Sequence, residues 1–168
     1  MKYIDARLAI RSGDALAWTH RGWNSWYDFK VQMVRVFTQS EYCHVGIAWV
    51  VAGRVFILEA VTAGIRIFPL SKELPFYWIP TSADWTETVE QYAMDQMGEP
   101  YSQWLAVQSF LGRENKSDEG TWQCAKYAKA VLTRLGFSLP GRATPSEVVH
   151  DLQALDRPVF LVEADDAK

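Results

Sequence analysis

The chain has 168 residues, 49% of them hydrophobic and 22% charged, which is the composition of one globular domain that buries a core of its own. Its net charge of −3 argues against a general binder of nucleic acid or of anionic membranes, because such binders present a basic surface. The chain shows neither an apolar run of about 18 residues nor the apolar core of a signal peptide at its start. We therefore expect a single domain over residues 1–168 that is cytoplasmic and has no integral membrane segment.

The first forty residues combine turn signals with short apolar segments. Residues 1–11 predict a short strand or an extended arm, and the Ser-Gly-Asp turn signal at 12–14 precedes a strand candidate at 15–18. From 26 to 37 the apolar residues fall at helical spacing, although several valines also permit a strand. We expect a helix in that segment.

Residues 42–61, with the sequence YCHVGIAWVVAGRVFILEAV, predict a β-hairpin. Two runs of β-branched and aromatic residues flank Ala52-Gly53, a pair that is typical of a tight turn. A loop of two residues or of four gives the same register, in which Val50 lies opposite Val55.

In that register His44 and Glu59 share one face of the hairpin as diagonal neighbours, because side chains alternate along a strand. A buried charge is costly unless it is paired, so an imidazole beside a carboxylate in an apolar ribbon requires an explanation. The pair either stabilises the sheet or serves a function. A loop of three residues would place the two side chains on opposite faces.

Two further strands follow the hairpin. Residues 64–68 form a strand candidate that Pro69 stops, and residues 76–79 form another. The prolines on both sides of 76–79 confine that strand to a sheet edge or place them at its ends, because proline cannot donate to a strand ladder.

Two helices are predicted in the following part of the chain. Residues 81–84 carry a capping-box pattern, which starts a helix that ends at Gly98. Residues 102–111 predict a second helix, and the polar segment 112–120 predicts a surface loop.

The last part of the chain carries two strong helix signals and a strand. Thr121 is the predicted cap of a helix that ends at Gly136, and residues 144–155 begin with the cap and proline of another helix. A final strand is predicted at 159–162, before an acidic tail that we expect to be frayed. These elements indicate an α+β fold in which an antiparallel sheet packs against helices.

Cys124 falls in the first turn of the helix that begins after Thr121. Unpaired N–H groups and the helix dipole favour an anion there, and the thiolate is the nucleophilic form of cysteine. The alternative is a small apolar residue at the first core position of the helix. Together with His44 and Glu59, this cysteine supplies the nucleophile, base and orienting acid of an acyl-transfer site.

Six phrases carry a resemblance to a known family: SGDALAW, FTQSEYCHVGI, VFILEAVTAGIRIFPL, GEPY, WQCAKYAKAVLTRLG and TPSEV. In these phrases and their order, over roughly residues 12–152, the sequence resembles the circularly permuted papain-fold amidases, the YiiX-like branch of the NlpC superfamily. The resemblance implies a permuted papain-like, NlpC-type fold in which the histidine strand precedes the cysteine helix. His44, Glu59 and Cys124 stand at the matching catalytic positions.

The activity that the resemblance implies is that of a cysteine hydrolase, a peptidase or amidase that cleaves an amide bond through a thioacyl-enzyme. Peptide stems of the cell wall are one substrate class it allows. Backbone N–H groups at the helix start would form the oxyanion hole. Tyr42, two residues before His44 and expected on its face of the strand, and Gln123, next to Cys124, are candidate contacts to the oxyanion or the substrate.

The partners and cofactors follow from the same chemistry. We expect a peptide, amide or acyl substrate and no nucleic acid, and no metal or organic cofactor is implied. Two other functions stay open, namely an acyltransferase or deacylase for lipids or thioesters on the same triad, and a catalytically silent binding or virion-associated module. The presence of cysteine, histidine and glutamate together favours an enzyme, because a binding module has no need of all three.

The other polar candidates are expected to be structural. Cys43 neighbours His44 and is expected to project from the opposite face as a buried thiol, which argues against a zinc site that combines Cys43, His44 and Cys124. Solvated histidines and a turn-capping carboxylate account for the rest, which are His20, His150 and Asp14.

Overall fold

One six-stranded antiparallel sheet organises the protein in the computed structural model, which describes residues 1–19, 41–100 and 123–166. The strands are β1 (Ala15–Trp18), β2 (His44–Val51), β3 (Arg54–Val61), β4 (Gly64–Pro69), β5 (Phe76–Ile79) and β6 (Phe160–Val162). They lie in the order β4-β3-β2-β1-β5-β6, so the hairpin of β2 and β3 sits inside the sheet.

In the described ranges, one helix precedes the strands and three lie between β5 and β6. They are α1 (Tyr3–Ala9), α2 (Glu87–Asp95), α3 (Cys124–Arg134) and α4 (Pro145–Ala154), with a short 3-10 turn at Leu70–Lys72. The predicted α+β class, an antiparallel sheet packed against helices, is confirmed.

Apolar side chains pack on both faces of the sheet, because successive residues of a strand point to opposite sides. On one face, Val45 and Ile47 of β2 belong to a cluster with residues of α2, α3 and α4. On the other face, Ala48 of β2 and Ile57 of β3 belong to a cluster with Tyr3 and other residues of α1. The sheet therefore lies between α1 on one side and the three later helices on the other.

The predicted hairpin of β2 and β3 is confirmed, together with its register. Val50 lies opposite Val55, and the pairing continues to Ile47 opposite Leu58. Ala52 and Gly53 form a two-residue loop with positive φ angles of 48° and 71°, as a type I′ turn requires. The two-residue loop fixes the register of β2 and β3, and the register determines which of their side chains share a face.

The predicted ends of two helices are also confirmed. The Thr144 side chain caps α4 by accepting a hydrogen bond from the Glu147 N–H, and Pro145 occupies the first helical position. α3 ends before Gly136, whose φ of 93° suits the left-handed position that follows a helix.

The two chain ends differ from their predictions. Residues 3–9 form a helix rather than a strand or arm, because Tyr3, Ala6 and Ile10 bury one helical face while Leu8 is exposed. The acidic tail is paired rather than frayed as far as residue 166. The Tyr3 N–H donates to the Glu163 carbonyl, and the Lys2 ammonium lies 2.8 Å from an Asp166 carboxylate oxygen.

The start of α2 also differs from its prediction, whereas β5 follows one of its two predicted placements. Thr86 caps α2, five residues later than the predicted capping box. Thr81 is engaged elsewhere, because its hydroxyl donates to the Gly13 carbonyl and its N–H to Asp14. β5 lies between β1 and β6, so it is not an edge strand, and its prolines stand just outside its ends, as the second alternative predicted.

Several predictions fall outside the described residues. These are the helices at 26–37 and 102–111, the loop at 112–120, and the side chains of His20 and Thr121. Within the described ranges, no helix has the length and apolar character needed to cross a membrane.

Candidate active site

His44 and Glu59 form a buried pair on neighbouring strands. The His44 Nε2 atom lies 2.6 Å from Glu59 Oε2, and the exposed fractions of the two side chains are 10% and 1%. This distance is that of a charge-assisted hydrogen bond. The register of β2 and β3 places both side chains on one face, as the alternation of the two strands predicts.

Arg66 of β4 holds the second oxygen of the same carboxylate. Its Nε and Nη2 atoms lie 2.7 Å and 2.6 Å from Glu59 Oε1. Arg66 is the direct cross-strand partner of Glu59, since Val61 pairs with Gly64 across a two-residue loop. The sequence-based prediction of this strand did not include its register, and so missed Arg66.

Glu73, which follows the 3-10 turn, is a second residue that the sequence-based prediction missed. Its Oε1 atom lies 3.5 Å from Arg66 Nη2. Its backbone carbonyl accepts a hydrogen bond of 2.6 Å from the Trp18 indole. No local sequence pattern indicates this contact, because it joins residues of β1, β4 and the turn before β5.

Cys124 is the first helical residue of α3, and Gln123 is the cap of that helix. The Gln123 backbone is extended, with φ of −133°, and its side-chain oxygen accepts a hydrogen bond of 3.2 Å from the Ala125 N–H. The helix therefore begins at Cys124, two residues later than the predicted start after Thr121. At that position the thiol stands at the positive end of the helix dipole.

A side-chain hydrogen bond with Cys124 is among the causes that raise the pKa of His44, so the two side chains lie within reach of each other. Because His44 Nε2 contacts Glu59, the ring nitrogen that remains for the sulfur is Nδ1. The sulfur also lies 3.9 Å from the Gln123 side-chain oxygen. Cys124 is 6% exposed, so it is buried but surrounded by polar groups rather than by hydrocarbon alone.

The charges of the site stabilise one another. Burial favours the neutral imidazole, but the hydrogen bonds and negative charges of Cys124 and Glu59 outweigh it and raise the pKa of His44 to about 10. Burial also opposes the ionised form of Glu59, yet the hydrogen bonds and positive charges of His44 and Arg66 lower the pKa of that carboxyl below its usual value. His44 is consequently an imidazolium and Glu59 a carboxylate near neutral pH.

Trp18 covers the imidazole. It is the cross-strand partner of His44 between β1 and β2, and the two ring centroids lie 5.4 Å apart. Trp18 is itself buried. An indole in this position excludes water from one side of the ion pair, which strengthens the electrostatic attraction between His44 and Glu59.

Tyr42 does not share the environment of His44, contrary to the expectation that both lie on one face. β2 begins at His44, so the strand alternation does not extend back to Tyr42. The Tyr42 ring packs edge-on against Tyr77, with centroids 5.4 Å apart, in the cluster on the side of α3. Burial and the nearby Glu41 carboxylate raise the pKa of Tyr42 to about 12, so the phenol keeps its proton near neutral pH. Its role as an oxyanion donor stays a prediction.

Both polar ends of the Gln123 side chain make hydrogen bonds within the fold. Its carboxamide oxygen caps α3, and its amide nitrogen donates a short hydrogen bond to the Ala143 carbonyl, in the segment before α4. Gln123 is buried. These contacts position the first turn of α3, and with it Cys124, whereas a direct contact to substrate stays a prediction.

The other polar candidates have structural contacts. The Cys43 thiol donates to the Trp18 carbonyl at 3.3 Å, and Cys43 packs on the Trp18 side of the sheet instead of projecting away from it. Asp14 is buried and accepts a hydrogen bond from the Arg11 N–H, so it caps its turn as predicted. It also accepts from the Trp78 indole and the Thr81 N–H, and so joins three segments. His150 is exposed, as predicted.

Comparison with solved structures identifies the fold of the chain. The crystal structure of the metalloprotein YiiX from Escherichia coli O157:H7 is similar, with a TM-score of 0.54 and 17% sequence identity. The match covers 74% of this chain and 66% of the other, which is just under two thirds of that protein. No protein-family model matches the sequence, and no curated protein matches it. The chain therefore has a fold similar to that of YiiX, while its chemistry has to be inferred from its own residues.

Proposed function

We propose that the protein is a cysteine hydrolase of the papain-like, NlpC-type class that cleaves an amide bond. Cys124 is the nucleophile, His44 the general base and acid, and Glu59 the residue that orients the imidazole. One observation supports this assignment above all others, namely that the His44 ring is held between the Cys124 sulfur and the Glu59 carboxylate. That order of groups is the one that nucleophilic acyl transfer requires.

The reaction begins from a thiolate and an imidazolium. The Cys124 sulfur attacks the carbonyl carbon and forms a C–S bond, while the carbonyl electron pair moves to the oxygen. When the tetrahedral intermediate collapses, the C–N bond breaks and His44 gives its proton to the departing amine. His44 then takes a proton from water, which attacks the thioacyl-enzyme and releases the carboxylic acid and the cysteine.

Two features of the fold assist these steps. Glu59 keeps the imidazole in one orientation and compensates the positive charge that His44 carries. The backbone N–H of Cys124, at the start of α3, would donate to the oxyanion, whereas the Ala125 N–H is already held by the Gln123 side chain. Because Cys124 is the first residue of α3, nucleophile and oxyanion donor belong to the same turn.

The metal content of the structural neighbour does not transfer to this site. Residues 1–19, 41–100 and 123–166 contain no group of three or more His, Cys, Asp or Glu residues placed to hold a metal ion. At the triad, His44 Nε2 is directed at Glu59, and the other Glu59 oxygen is held by the Arg66 guanidinium, a cation itself. The donor set does not fit a metal, and no step of the proposed reaction uses one.

Thiol reactivity tests the proposal directly, and Cys43 supplies an internal control. The protein is treated with iodoacetamide at about pH 6, and the alkylation of each cysteine is followed by mass spectrometry. An ordinary thiol is almost entirely protonated there, so an ion-paired Cys124 is expected to react on the order of tenfold faster than Cys43. His44→Ala is expected to abolish the difference, and Cys43→Ser to leave Cys124 unchanged. Equal rates, or no reaction at Cys124, would contradict the proposal.

The acyl group is tested in a second assay. Wild-type protein and Cys124→Ser are incubated with peptide amides, including cell-wall peptide fragments, and separately with acyl thioesters. Amide hydrolysis that requires Cys124 supports the amidase. Turnover of thioesters alone indicates acyl-transfer chemistry on the same triad, and an activated Cys124 without turnover of either indicates a different acyl substrate.

A further inference from the structure

We propose that Arg66 is a positioning residue that fixes the Glu59 carboxylate, and through it the His44 imidazole, for the cysteine chemistry proposed above. The inference rests on that proposed function and extends it to a residue outside the triad. Arg66 lies on β4, the edge strand that pairs with β3, and it stands directly opposite Glu59 of β3. His44 lies on β2, beyond β3, so the imidazole stands between Arg66 and Cys124.

The contacts of Glu59 assign one oxygen to each neighbour. Oε2 faces His44 Nε2 at 2.6 Å, and Oε1 faces the two Arg66 nitrogens at 2.7 Å and 2.6 Å. A carboxylate held on both oxygens cannot rotate about its last bond without breaking charge-assisted hydrogen bonds. The orientation of the imidazole therefore depends on the guanidinium as well as on Glu59.

Arg66 is held in turn by contacts that lead back to His44. Its guanidinium carbon lies 4.3 Å from the centroid of the Phe68 ring, and its Nη2 lies 3.5 Å from Glu73 Oε1. The Glu73 carbonyl accepts from the Trp18 indole, and the Trp18 ring packs on His44. These contacts form a closed ring of five residues, which are His44, Glu59, Arg66, Glu73 and Trp18. Glu73 contributes its carboxylate toward Arg66 and its backbone carbonyl toward Trp18. A closed ring of this kind limits the movement of each member more than a chain of pairs does.

Charge gives the guanidinium a second role. Glu59 is faced by His44 from β2, by Arg66 from β4 and by the Glu73 carboxylate after the 3-10 turn, while Cys124 lies beyond the imidazole. The Arg66 charge favours ionised Glu59, whereas the Glu73 charge opposes it. Without Arg66, we expect Glu59 to become protonated at a higher pH, and the imidazolium to lose its counter-charge there.

The experiment measures the alkylation rate of Cys124 against pH in the full-length protein. Arg66→Gln removes the charge, Arg66→Lys keeps the charge but removes the two-nitrogen contact, and Arg54→Gln makes the first change at an exposed arginine of β3. In Arg66→Gln the acid limb of the profile is expected to rise by about 1 pH unit or more, since an opposite charge at this range lowers a carboxyl pKa by about 1–3 units. The plateau rate is also expected to fall severalfold.

The lysine variant separates charge from geometry. It is expected to return the acid limb close to its wild-type position while the plateau stays severalfold lower, because a single ammonium does not reproduce the forked contact. Arg54→Gln is expected to behave as wild type. Circular dichroism at each pH checks the fold, and if Arg66→Gln does not fold, the plateau of Arg66→Lys carries the test.

Failure of this inference is distinct from failure of the proposed function. An unchanged acid limb in folded Arg66→Gln, or a wild-type plateau in Arg66→Lys, overturns the role of Arg66 and leaves the triad in place. If Cys124 of the wild type reacts no faster than Cys43, the triad itself is wrong, and Arg66 then has no reaction to support.

Discussion

Replacing Glu59 by glutamine keeps the shape of the side chain and removes its charge, which isolates the electrostatic part of the pair with His44. The pair is a hydrogen bond between charged, buried groups, and such bonds contribute about 1.5–3 kcal/mol. The Arg66 side chain is 37% exposed, so its contact adds at most about 1 kcal/mol. Glu59→Gln is therefore expected to lower the free energy of unfolding by about 3 kcal/mol where both groups are charged.

The pH range of this effect follows from the two pKa shifts. The lowered pKa of Glu59 contributes stability above the unfolded value of about 4.3, and this is lost as the pH falls through the folded pKa. The raised pKa of His44 contributes stability that is complete below the unfolded value of about 6.5 and is lost as the pH rises through about 10. The variant and the wild type should therefore differ most between about pH 4.5 and 6.5.

A double-mutant cycle makes the measurement specific to the pair. Urea unfolding followed by tryptophan fluorescence is measured for wild type, Glu59→Gln, His44→Ala and the double variant, at about pH 5.5 and again near pH 10. The interaction energy is expected to be about 1.5–3 kcal/mol at the lower pH and to shrink toward the higher one. A value below about 0.5 kcal/mol at pH 5.5, or one that does not change with pH, would refute the ion pair.

Two further predictions concern the scaffold of the site. A Cβ added at Gly46 would lie 2.6 Å from Ile57 Cδ1 and 2.9 Å from a backbone carbonyl, so Gly46→Ala is expected to cost about 1–3 kcal/mol in urea unfolding, and an unchanged midpoint would contradict this packing. Asp14→Asn turns one oxygen of a buried carboxylate into a donor that faces other donors, among them the Trp78 indole, and is expected to cost about 2 kcal/mol. The same change at exposed Asp84 should leave the midpoint within error, and equal effects at both positions would refute the structural role of Asp14.

The parts of the fold that were predicted correctly depend on neighbouring residues. The Ala52-Gly53 loop determines the register of β2 and β3, and the alternation of apolar residues then places His44 and Glu59 together. The threonine and proline at 144–145 likewise mark the start of α4 by themselves. Where the backbone conformation follows from a turn or a cap, sequence is sufficient.

The parts that were missed depend on contacts between distant segments. The apolar pattern of residues 3–9 does not distinguish a strand from a helix. Only the packing of this segment against the sheet selects the helix. Thr81 resembles a helix cap, but its N–H donates to the buried carboxylate of Asp14, which lies just before β1. In the site, Arg66 was within reach of prediction, because a two-residue loop between β3 and β4 implies its place opposite Glu59. The juxtaposition of Cys124 with His44 joins separate parts of the chain, so it was expected from the family resemblance and from the chemistry of the residues rather than from a local pattern.

His44 and Glu59 lie on consecutive strands, whereas Cys124 lies on a helix much later in the chain. His44, Glu59 and Arg66 belong to β2, β3 and β4, which pair through two short loops and so close with little loss of chain entropy. The helix that carries Cys124 must dock across a far longer stretch of polypeptide. An imidazole already held by its acid is thus expected to be in place before the sulfur reaches it. During folding, the Cys124 thiol would stay unactivated until α3 docks against the sheet.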